Sequence, residues 1–132
     1  MSSESKFLSE LVCKELEEKE GSWVLVEPLA YQSELLDETL EVPVGFVTDF
    51  SSVPRIPFIY AWYGDRAHRE SVLHDWLYFT AYVSRAKADS IFLEAMKARG
   101  KSLFVRNGMY LGVRLGGWKA WKEHRAKRHP MA

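Results

Sequence analysis

The stretch Ser71–Phe92, SVLHDWLYFTAYVSRAKADSIF, decides how this chain folds. Wound at about 100° per residue, Val72, Leu73, Trp76, Leu77 and Phe79 spread over one broad apolar face. Ser71, His74, Asp75 and Tyr78 fall at i, i+3, i+4 and i+7, so they form one narrow polar stripe. A helix this apolar cannot lie loosely on a surface, so its stripe faces a cleft or another helix. The pattern places this first helix at about Ala67–Tyr82.

The rest of the stretch opens a second helix, Arg85–Arg99. Ser84 stands at its N-cap and Gly100 at its C′ position. Ala88, Phe92, Ala95 and Met96 define its buried arc, with Leu93 at the margin. Lys87, Ser90, Glu94 and Lys97 lie opposite, on a charged face. Asp89 projects within the apolar arc, where a carboxylate must find donors or take up a proton. The turn between the helices brings His74 and Tyr78 within its reach. A third helix is expected at Leu103–Arg125.

Outward towards the N-terminus the chain reads as β. Phe7–Leu16 is an irregular strand, and Gly21 follows the charged run Glu17–Glu20 as a turn. Trp23 to Tyr31 is rich in β-branched and aromatic residues, and Thr39–Val44 is a third strand that Pro43 marks as an edge. Gly45–Phe58, with Pro54 and Pro57, reads as an ordered loop leaving the sheet. The expected architecture is α+β: a short antiparallel β-meander followed by a three-helix region, in a single domain spanning 1–132.

Composition narrows the classes of function. An apolar fraction of 47% with 27% charged residues belongs to a folded, soluble chain. No run is long enough to span a bilayer, and MSSESKFLSE lacks the basic-then-apolar order of a secretory signal. Cys13 is the sole cysteine, which excludes an internal disulfide and a cysteine-based zinc site. The zero net charge hides a gradient: residues 1–50 carry twelve acids and three bases, residues 51–132 six acids and fifteen bases. Such a split steers partners, attracts one half to the other, or is simply a solvated surface.

Two readings of the stripe stand side by side. His74 oriented by Asp89 would be a general-base dyad, with Tyr78 beside it. Asp75, with Asp49 from the loop, would then hold a divalent cation, calcium or zinc, that polarises a substrate oxygen. Ser71, Ser51 and Arg55 complete the polar residues of this candidate site. Alternatively, His74, Tyr78 and Asp89 form a buried hydrogen-bonded staple between two helices, without chemistry. The Thr48–Ser52 segment is expected to pack beside the N-terminal half of the first helix in either case.

Read in order, GFVTDFSSVPR (Gly45–Arg55), HDWLY (His74–Tyr78), RAKADSIF (Arg85–Phe92) and Met109–Trp118 resemble a family of short, uncharacterised phage and prophage proteins. The resemblance runs from about Trp23 to Trp118. It implies a phage or prophage origin, a place in the host cytoplasm or the virion, and phage structural proteins as partners. It brings no established activity.

A second resemblance is local. H-D-x-x-Y at His74–Tyr78, followed by A-D-x-x-F at Ala88–Phe92, is similar to the catalytic helix pair of secreted and parvoviral calcium-dependent phospholipases. It implies that His74 activates a water, Asp75 binds calcium, Asp89 orients His74 and Tyr78 bonds Asp89. The glycine-rich calcium loop and bracing disulfides of those enzymes are missing, so Gly45–Val53 would have to supply the carbonyl ligands.

The remaining signals are weaker. Lys119, Lys122, Arg125, Lys127 and Arg128 interleave with Trp118 and Trp121, as in nucleic-acid or anionic-surface binders, but more often such a run is a solvated helix end. His124 and His129 are poorly spaced for a metal. Asp65 precedes the first helix and His68 stands at its N-terminus, a further candidate ligand. Cys13 reads as a small buried residue. The sequence is compatible with two functions, a small hydrolase and a non-catalytic virion, tail, baseplate or assembly component.

Overall fold

The computed structural model describes residues 4–18, 22–48 and 68–128. Six short strands precede four helices among them: β1 (Lys6–Phe7), β2 (Cys13–Glu15), β3 (Trp23–Leu25), β4 (Leu29–Ser33), β5 (Glu38–Val42), β6 (Val47–Thr48), α1 (His68–Thr80), α2 (Arg85–Ala98), α3 (Leu103–Gly116) and α4 (Trp118–Arg128). The fold class is α+β, as the sequence implies.

The strands do not make one meander. They form two antiparallel three-stranded sheets, ordered β1-β4-β5 and β2-β3-β6. The cause lies at Val26–Pro28, within the segment read as one strand. Pro28 has no amide for a ladder, and there the chain passes from one sheet to the other. Beyond it, Ser9 Oγ donates to Pro28 O at 3.2 Å and accepts from Ala30 N at 2.9 Å, holding the new strand's start. Val47–Thr48, expected in the loop, pairs with β3 through Val24↔Val47 and Trp23↔Thr48. The remainder of that loop lies outside the described residues.

Strand alternation turns Leu29, Tyr31 and Ser33 of β4 inward, alongside Leu40 and Val42 of β5. Leu29 pairs with Val42 and Tyr31 with Leu40. With Leu25 they meet Val72, Leu73, Leu77 and Tyr78 of α1 and Ala88, Ile91 and Ala95 of α2 in the main core. A smaller cluster, Phe92, Met96, Val105, Met109 and Val113, seals α2 against α3. On the expected apolar face of α1, Phe79 is exposed and Trp76 only half-buried.

Helix ends follow local chemistry. Ser84 Oγ accepts from Lys87 N, and Ser102 Oγ caps α3 by accepting from Val105 N. Gly100, at φ 76°, ends α2: its N–H donates to Lys97 O and that of Lys101 to Met96 O, the paired bonds of a Schellman motif. The expected third helix divides at Gly117. There the Tyr78 hydroxyl stands 2.5 Å from where a Cβ would be, so the turn joining α3 to α4 accepts only glycine unstrained.

Glu94 departs from its expected place on a solvated face. It is half-buried, and its carboxylate accepts from Tyr31 Oη at 2.6 Å, Ser33 Oγ at 2.9 Å and Leu35 N at 2.7 Å. It ties α2 to the first sheet.

Candidate functional site

The polar stripe of α1 is buried throughout: Ser71, His74, Asp75 and Tyr78 are each at most 2% exposed. Its centre is Asp89, which α2 presents to it as the spacing implied. His74 Nε2 lies 2.7 Å from Asp89 Oδ1, and the Tyr78 hydroxyl donates to the same oxygen at 2.7 Å. The other oxygen accepts from Arg114 Nη1 of α3 at 2.7 Å and, more loosely, from Arg85 Nη1 at 3.5 Å. Burial pushes the Asp89 pKa up, yet the bonds from His74, Tyr78 and Arg114 outweigh it and hold the carboxyl below its ordinary value. Asp89 is therefore an anion that accepts only.

That charge state fixes the imidazole. Opposite an ionised carboxylate, Nε2 carries the hydrogen, so in neutral His74 the lone pair sits on Nδ1. The ring is packed on Phe92 at 4.7 Å and Tyr78 at 4.2 Å between centroids. Tyr78 is in turn met edge-on by Trp121 at 5.2 Å. Its hydroxyl pKa is raised by burial and by the bond to Asp89, so it remains a donor. Arg85 also reaches Val113 O at 3.1 Å and Arg114 O at 3.4 Å, closing the C-terminal end of α3.

Asp75, the next residue, points to other partners. Its Oδ2 accepts from Thr48 Oγ1 at 2.6 Å, and its Oδ1 lies 3.2 Å from His124 Nε2 of α4. Consecutive residues of α1 thus serve two His–Asp pairs, one joining α1 to α2 and one joining it to α4 and β6. Thr48 brings the start of the Thr48–Ser52 segment to the stripe. Asp49, Ser51 and Arg55, like Asp65 and His129, lie outside the described residues.

The described residues show Asp75 bonded within the protein, and its expected partner for a cation, Asp49, lies outside them. Both Asp75 oxygens are engaged by protein groups, and no group of three or more His, Cys, Asp or Glu that could hold a metal occurs among the described residues. His68 is exposed at the first residue of α1.

Several residues at the site escaped sequence reasoning. Arg85 stands four residues before Asp89, a helix-pair spacing that signals it. Arg114 and the His124–Asp75 contact are long-range and leave no local mark. Glu70 is fully buried, with Oε1 bonded to Arg99 at 2.9 Å and Oε2 without a hydrogen-bond partner among the described residues.

Residues 23–113 match the model of a family described as protein of unknown function (DUF1353). The chain belongs to this family. The matched DUF1353 segment holds His74, Asp75, Tyr78, Arg85 and Asp89, and ends one residue before Arg114. No curated protein and no solved structure matches the chain.

Proposed function

We propose that this DUF1353 chain is a small hydrolase of phage or prophage origin in which His74 is the general base. The observation that supports it is the ionised Asp89 on His74 Nε2, which leaves Nδ1 as the basic nitrogen. Nδ1 takes a proton from a water whose oxygen attacks an acyl carbon. The imidazolium, stabilised by Asp89, returns that proton to the leaving group as the old bond breaks. Tyr78 and Arg114 hold Asp89 in register and are positioning residues. The ordered motifs Gly45–Arg55, His74–Tyr78 and Arg85–Phe92 support the phage association, and with it a place in the host cytoplasm or a virion.

One observation favours the second reading, a virion, tail, baseplate or assembly component in which these residues are a staple. His74 is fully buried, and the donors to Asp89 come from three helices. Diethyl pyrocarbonate with peptide mass mapping separates the two. A working base expects His74 to be modified in the folded chain, together with loss of hydrolysis of an activated ester. A His74 that reacts only after unfolding, in a chain with no esterase activity, would sink the hydrolase.

A further inference from the structure

Helix α3 has an apolar arc wider than its neighbours cover. Val105, Met109 and Val113 face inward, while Phe104, Leu111 and Leu115 stand 76%, 57% and 75% exposed on the opposite side. With Gly108 they follow spacings of four, three and four residues, and Trp118, 49% exposed at the start of α4, continues the line. A row of large apolar side chains left in water marks an interaction surface.

Charge says what covers it. Between Glu94 and Glu123 the sequence has no acid and seven bases, of which Arg99 and Arg114 are paired with Glu70 and Asp89. Lys119 and Lys122 are exposed, and the Lys122 ammonium lies 5.6 Å from the centre of the Trp118 ring, at the end of the row. The acids are concentrated in the half that forms the sheets. We infer that α3 and the first turn of α4 dock on an anionic lipid surface, with Phe104, Leu111, Leu115 and Trp118 entering the interface and Lys119 and Lys122 meeting the headgroups. Apolar knobs with tryptophan and lysine at one border suit a bilayer interface. Fourteen residues, about 21 Å of helix, lie along such a surface, and no helix among the described residues is long and apolar enough to cross one. The inference stands apart from the role of His74.

The test is co-sedimentation of the full chain with vesicles of phosphatidylcholine alone and of phosphatidylcholine mixed with phosphatidylglycerol. Binding is expected to the anionic vesicles only and to weaken with salt. The double change Lys119→Glu, Lys122→Glu should lower the partition about tenfold or more. Leu111→Gln with Leu115→Gln should abolish binding while circular dichroism is unchanged, and Phe104→Ser gives an independent check should that pair disturb the helix. Equal affinity for both vesicles, no affinity for either, or indifference to the leucine and phenylalanine changes overturns the inference. So does a dimer in solution that the leucine changes dissociate, which would assign the face to a second copy of the chain.

Discussion

Replacing Asp89 by Asn keeps the side chain's shape and removes its charge, so it isolates what the charge does. Two arginines and a tyrosine then face a neutral amide, and one of the buried donors loses its acceptor. The fold should lose about 1–3 kcal/mol, read from a denaturant titration. The tautomer of His74 should change as well, because an amide can present its NH2 to Nε2. Nitrogen chemical shifts of the imidazole report this directly. A variant with wild-type stability and an unaltered imidazole spectrum would mean that Asp89 and His74 do not interact in solution.

At the scale of the element, two residues mark where α1 and α3 end. Ala81 follows α1 with φ 52°, the left-handed region in which an L side chain is strained. Ala81→Gly relieves that strain against a larger unfolded-state entropy, so a gain of up to about 1 kcal/mol is expected in thermal or chemical melts. Gly117→Ala should act oppositely. Its Cβ would push on the Tyr78 hydroxyl and on Val113 O, each 2.5 Å away, and cost about 1–3 kcal/mol. A Gly117→Ala protein as stable as the parent would show that Tyr78 can yield without losing Asp89.

The boundaries of α2 were legible because their determinants are local. Ser84 and Gly100 cap α2 by bonds to residues three or four positions away, and the alternation that buries Ala88 and Phe92 repeats within one helix. The burial of Asp89 and its bonds to His74 and Tyr78 were legible for the same reason, as two adjacent helices bring their faces together. The division into two sheets was not, since the spacing of Trp23–Tyr31 fits one strand as well as two. Only the pairing of β2 and β6 with β3 decides it. Gly117 looked like an ordinary glycine in a helical pattern because its neighbour Tyr78 is 39 residues away. Glu94 was misplaced for a like reason: its three donors come from another layer.

For the whole molecule, Glu94 is the polar tie between the first sheet and α2. Glu94→Gln should cost about 1–2 kcal/mol and lower a single unfolding transition seen alike by near-ultraviolet and far-ultraviolet signals. Two separate transitions would show that sheet and helices unfold independently. The pH limits of the fold follow from its buried titratable groups. Asp89 titrates below its ordinary value, so its contribution is whole above about pH 4 and is lost as pH falls through the folded pKa. Tyr31 and Tyr78 are raised, first by burial and then by their bonds to Glu94 and Asp89. Their contribution is whole below about pH 10 and is lost as pH rises further. Equilibrium unfolding across pH should show stability declining at both ends, the alkaline decline shrinking in Tyr78→Phe.

The last carbonyls of α1 are closed from far away. Arg125 Nη2 donates to Tyr78 O at 2.7 Å and to Phe79 O at 2.8 Å, while its guanidinium lies 4.6 Å from the Trp121 ring centre. Tyr78 and Arg125 are separated by 47 residues, so on a ribosome adding about 5–20 residues per second α1 waits roughly 2–9 s for its cap. During that interval the end of α1 relies on water, and the face of Tyr78 that Trp121 will cover is bare. A nascent chain stalled before Trp121 therefore offers chaperones an apolar aromatic target that the finished molecule conceals.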